Sequence, residues 1–117
     1  MKRYIGEIYW FVLDNKTGTT HSGNTAKIRR AILNENVFKL DVKMPNPFPD
    51  SEIRMRSKDG FEFDGSAKYV DSPKSSALLG FDYYFNGKKA ILTGNWEEDK
   101  VKLMCIIRLT EVDNFKD

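Results

Sequence analysis

The chain has 117 residues, 40% of them hydrophobic and 31% charged, with a net charge of +2. That is long enough to enclose one core without disulfides, too apolar for disorder, and too mildly basic to imply nucleic acid from charge alone. A single cysteine excludes an internal disulfide and a multi-cysteine zinc site, so a reducing cytoplasm is the expected compartment.

The opening MKRYIGEIYWFVLD starts basic, but Glu7 interrupts it and no small-residue cleavage site follows, so it reads as a strand and not as a signal peptide. No apolar run approaches the roughly 20 residues of a spanning helix, and no membrane partner is expected. Tyr4 to Leu13 is rich in aromatic and β-branched residues on both parities, which predicts a first strand covered on both faces. Asp14 to Gly18 is a turn, and Thr19 to Gly23 continues it as a polar loop. Asn24 to Asn36 reads two ways. As a strand, Ala26, Ile28 and Ile32 share a face on which Arg30 intrudes; as a helix over 25–35, Ile28, Ala31 and Ile32 fall at helical spacing. The flanking strands favour the first reading, and the second would make the fold α+β.

Val37 to Met44 alternates, with Phe38, Leu40, Val42 and Met44 on one side, until the proline-rich loop Pro45 to Asp50 ends it. Glu52 to Arg56 is a short strand, and Lys58-Asp59-Gly60 turns the chain. In Phe61 to Tyr69 the small Gly65 and Ala67 stand among inward aromatic residues, as at a sharp bend. Asp71 to Ser75 is a loop. Ser76 to Val112 predicts three strands joined by tight reversals at Asn86-Gly87 and Glu97 to Lys100, the first with the Asn-Gly signature of a type I′ hairpin. The tail from Asp113 to Asp117 is polar. About eight strands, with turn signals roughly every 8 to 12 residues, predict an all-β antiparallel meander closing into a small barrel, the whole chain forming one domain.

No catalytic constellation is expected. His21 is the only histidine and lies in a polar segment, Cys105 has the inward parity of a buried inert thiol, and no metal cluster or cofactor motif is present. Three surfaces remain. The interior aromatic residues Trp10, Tyr69, Phe81, Tyr83 and Trp96 would line a cavity or its mouth and hold a small molecule, or else fill a solid core. Lys27, Arg29, Lys39, Lys43, Arg54 and Arg56 would project together as a basic face, opposed by Asp41 and Glu52, either as a seat for nucleic acid or an acidic partner or as a solvated exterior. Phe48, between two prolines, is a rigid knob for docking on a protein or for plugging the barrel. Ile91, Met104 and Ile106 are apolar on an outward parity, as for a homodimer or partner contact.

The second half, with its Gly65-x-Ala67-x-Tyr69 strand and a hairpin ending in Gly94-x-Trp96 before a last apolar strand, resembles small calycin-like barrels of bacteria and their phages. These include receptor barrels that bind cyclic dinucleotides. The resemblance covers about half the chain and implies a barrel with a ligand, hence a cyclic-nucleotide sensing or sequestering alternative. Those receptors carry membrane helices ahead of the barrel and this chain has none, and no binding residue is carried over by position.

Overall fold

The computed structural model describes residues 1–13, 20–98 and 101–115. They form eight strands: β1 (Lys2–Leu13), β2 (Thr20–Asn34), β3 (Val37–Lys43), β4 (Ser51–Ser57), β5 (Glu62–Tyr69), β6 (Ser72–Asn86), β7 (Lys89–Glu98) and β8 (Val101–Val112). Each pairs antiparallel with the next, and β8 returns to β1, so the meander closes into a barrel. Closure satisfies both edges of the sheet, which an open sheet of this length would leave exposed for aggregation. Among the described residues no helix is long and apolar enough to cross a membrane.

Alternation fills the interior. Ile8, Ile28, Phe38, Leu40, Val42, Ile53, Met55, Phe63, Leu92 and Ile107 are all but inaccessible and belong to one cluster, against which Leu33, Met44 and Leu103 pack. Segment 24–34 is strand throughout, and a β-bulge resolves the intrusion of Arg30. The β2–β3 register shifts between Ile28 and Arg30, so Arg29 and Arg30 both face water and Ala31, in place of Ile32, points inward. One extra residue resets the two-residue period; without it a guanidinium would enter the core.

Several boundaries differ from the sequence expectation. β2 already begins at Thr20, because the long β1 offers backbone partners as far as Leu13. β6 begins at Ser72. Its register against β5 shifts beyond Lys68, leaving residues 73–75 in excess, and a bulge is where a strand tolerates Pro73. Phe61 lies outside β5 and is exposed. The reversals expected at Asp14 to Gly18 and at Asp99-Lys100, and the end of the tail, lie outside the described residues.

Turn chemistry is exchanged between hairpins. Positive φ at both central positions, the type I′ requirement, occurs at Glu35 (49°) and Asn36 (65°). In the β6–β7 hairpin Asn86 pairs with Lys89, so the turn residues are Gly87 and Lys88, with positive φ only at Gly87 as in type II′. Gly65 and Gly94 both have inward parity, where a Cβ would collide with the carbonyl oxygen of Arg54 or of Gly80 on the neighbouring strand. Their lack of a side chain lets the sheet coil tightly enough to close.

Candidate functional site

Antiparallel order gives the barrel two dissimilar ends. At one end lie the 35–36, 58–61 and 87–88 turns. Here Tyr4, Phe38, Phe63, Tyr83 and Phe85 pack ring against ring with centroids 5.3 to 5.9 Å apart, mostly edge to face. The Tyr4 and Tyr83 hydroxyls share a 2.8 Å hydrogen bond inside the cluster. Burial, and after it the Tyr83 hydroxyl, pushes the Tyr4 phenol well above its ordinary range. The β4–β5 turn at this end is fixed by its own carboxylate: Asp59 Oδ1 accepts from the N–H groups of Phe61 (2.8 Å) and Glu62 (3.0 Å). Those bonds, with Glu62 contributing most, hold the Asp59 carboxyl below its ordinary range. This end is plugged.

The other end has a mouth. A recess of about 130 Å³ is walled by Trp10 from β1, Asn24 from β2, Tyr69 from β5, Trp96 and Glu98 from β7 and Leu103 from β8. Met44, Pro45 and Phe48 of the loop after β3 complete the rim. That loop is fastened at its far end. Asp50 accepts from the Met44 N–H (3.3 Å) through one oxygen and pairs with Arg29 (2.9 Å) through the other, while its carbonyl accepts from the Val70 N–H (2.9 Å). Phe48 N–H donates to the Pro45 carbonyl (3.0 Å), closing a turn. Phe48 is thus held at the rim of the mouth.

Polar groups in the recess are few. Trp96 Nε1–H donates to Glu98 Oε2 at 3.2 Å, and the Tyr69 hydroxyl reaches the same oxygen at 3.5 Å, the outer limit of a hydrogen bond. Among the described residues no lysine or arginine pairs with Glu98, and nothing bonds its Oε1. The Trp10 indole packs edge to face on Trp96, centroids 5.3 Å apart at 89°. Trp10 is 6% exposed, and its Nε1–H is buried without a hydrogen-bond partner among the described residues. A buried indole donor ordinarily finds an acceptor, and an orphan one costs about 1–3 kcal/mol.

The structure divides the expected interior set. Trp10, Tyr69 and Trp96 meet at the mouth; Tyr83 is in the plug at the opposite end, and Phe81 is buried in the wall beside Phe63 and Gly94. The expected partner-contact set also splits, with Phe48 at the mouth and Ile91, Met104 and Ile106 on the outer face of β7 and β8. There Met104 lies opposite Phe11, and Ile106 between Tyr9 and Thr93, so β1 extends the apolar stripe.

The basic residues Lys27, Arg29, Lys39, Lys43, Arg54 and Arg56 all face outward. Lys27 sits opposite Lys43 and Lys39 opposite Arg54, but Arg29 is paired with Asp50 and Arg56 lies opposite Asp64. The broad trough over this face, about 980 Å³, is lined by Asp41, Asp50 and Glu52 as well as by Lys27, Arg29 and Lys43. Its charge is mixed.

Glu98, Asn24, Met44 and Leu103 were not singled out from the sequence. Glu98 had a signal: it continues the inward parity of Leu92, Gly94 and Trp96, where a carboxylate is out of place. Cys105 is buried, and burial pushes its thiol well above the ordinary range, leaving it protonated. Among the described residues no group of three or more His, Cys, Asp and Glu side chains is placed to hold a metal ion. Comparison with known proteins returns neither a matching family model nor a matching curated sequence.

Proposed function

We propose that the chain is a non-catalytic binding module, a calycin-like cytoplasmic barrel that takes one small molecule in its mouth. The observation that carries this reading is the Trp10 N–H, buried and unpartnered on a ring that lines the recess. With the indole turned so that its N–H opens on the recess, a ligand oxygen there would satisfy a donor that the fold leaves stranded. Aromatic walls supply contact area with little side-chain entropy to lose. The test is a thermal-shift and tryptophan-fluorescence screen of small compounds against the wild type and Leu103→Trp, which fills the recess. Binders should raise the wild-type melting temperature, by the equivalent of about 2.7 kcal/mol at a hundred times Kd, and leave the filled variant unchanged. Equal shifts in both proteins would remove the mouth as the site.

A protein partner or second copy on the outer face is the second reading, favoured by the continuous Phe11–Met104 and Tyr9–Ile106 rows. Ile106→Lys should abolish such an association, and unchanged size and binding would discard it. Phosphate-bearing ligands have less support. The recess is well below the about 300 Å³ at which ordinary ligand pockets begin, too small for a cyclic dinucleotide. The charged side chain that lines it, among the described residues, is the anion Glu98. Nucleic acid on the basic face would have to overcome the mixed charge there.

A further inference from the structure

We propose that the mouth takes a small organic cation bearing an oxygen acceptor, its positive charge facing the Glu98 carboxylate and its oxygen accepting from the Trp10 N–H. This rests on the mouth being a ligand site and names the class of ligand it selects.

Charge, size and shape lead to that class independently. Glu98 is a half-buried carboxylate with no cationic partner among the described residues, bonded only through Oε2. Desolvating an unpaired carboxylate is costly, and a bound cation offsets that cost. The walls around it include the rings of Trp10, Trp96, Tyr69 and Phe48, together with Asn24, Met44, Pro45 and Leu103. The negative faces of such rings attract a cation, tryptophan most strongly, and cages of this composition suit alkylated ammonium groups, which shed water easily. A recess of 130 Å³ equals about four water molecules at roughly 30 Å³ each, enough for a compact head group and little more. The edge-to-face contact of Trp10 and Trp96 at 5.3 Å leaves no slot between them for a planar ring, which disfavours a sandwiched nucleobase. The unpartnered polar feature, the Trp10 donor, calls for an acceptor and not for a second positive charge, and Asn24 and the Tyr69 hydroxyl add neutral polar groups to the wall.

Choline has this pattern, tetramethylammonium has the charge without the oxygen, and choline's carbon isostere has the oxygen without the charge. The experiment titrates all three into the protein while following the two indole N–H signals by NMR. Choline should shift the Trp10 signal saturably, and the uncharged isostere should bind at least about tenfold more weakly. Glu98→Gln, which keeps an acceptor for Trp96, should weaken choline and tetramethylammonium by about tenfold and leave the isostere unaffected. Trp10→Phe should weaken both cations by the loss of a tryptophan face, and choline several-fold more than tetramethylammonium, the excess being about the value of one hydrogen bond. If the isostere matches choline, or if Glu98→Gln binds choline as the wild type does, the cation class is overturned while the mouth remains a ligand site. If none of the three shifts the Trp10 signal but a compound from the thermal screen does, the class is again wrong. Silence from every compound overturns the ligand site together with the class.

Discussion

At one end of the barrel two tyrosine hydroxyls meet at 2.8 Å within a cluster of five rings; at the other a buried tryptophan N–H has no acceptor among the described residues. Both ends are aromatic, and the difference is in satisfaction. At the Tyr4–Tyr83 end each hydroxyl oxygen has the other as its partner, and the rings serve packing. The Trp10–Trp96 end keeps a donor without an acceptor and a carboxylate without a cation among the described residues, beside a recess. Aromatic content therefore does not distinguish the two ends of this barrel; unsatisfied hydrogen-bonding capacity next to open volume does, and the proposed site rests on it.

Mutations at the two ends should differ accordingly. Phe38→Ala removes a ring that is fully buried and touches Tyr4, Phe63 and Tyr83, and it should cost about 3–5 kcal/mol in denaturant unfolding. A loss near 1 kcal/mol would show that the plugged end is loosely packed and would erase the contrast. Tyr83→Phe strands the Tyr4 hydroxyl and should cost about 1–3 kcal/mol, whereas the double change to Phe at both positions should cost less than the single one. That reversal separates a stranded polar group from lost volume.

Alkaline titration examines the same end, together with the core cysteine. The Tyr4 phenol and the Cys105 thiol are both raised in the fold, so the unfolded chain gives up these protons first. Their contribution to stability should be complete below pH 9, shrink as pH passes the ordinary thiol and phenol values of 9.0 and 10.0, and not decline toward neutrality. Tyr4→Phe should flatten the later part of that decline. The smallest effect is expected at the mouth. Trp10→Phe loses contact area but also removes a buried orphan donor, and the two should leave stability within about 1 kcal/mol of wild type. A loss as large as that of Phe38→Ala would mean that the Trp10 N–H is satisfied in solution.

Alternation made the barrel legible from Val37 onward, because a strand between water and a core must repeat every two residues, and Phe38, Leu40, Ile53, Phe63 and Leu92 are inside as that period requires. β2 was ambiguous because its bulge breaks the period at Arg29 and Arg30, and a broken two-residue repeat resembles a helical one over a short span. The Asn-Gly signal marked the correct hairpin but the wrong turn type, since register between β6 and β7 is fixed by the pairing of long strands and not by the two loop residues. For the site, parity showed which aromatic residues point inward but not at which height along the axis. That height depends on the stagger between strands, so Tyr83 and Trp10 looked equivalent although they sit at opposite ends. Glu98 went unnoticed because a charged residue beside a turn reads as solvated, although its parity placed it inside.

The most direct measurement of the central claim follows the Trp10 indole N–H by NMR while compounds that raise the melting temperature are added. The signal should move and saturate, with signals of the Tyr4–Tyr83 cluster and of the Ile91 and Ile106 methyls unchanged. A stationary Trp10 signal, with movement confined to the plugged end or to the outer face of β7 and β8, would contradict the assignment of the mouth as the binding site.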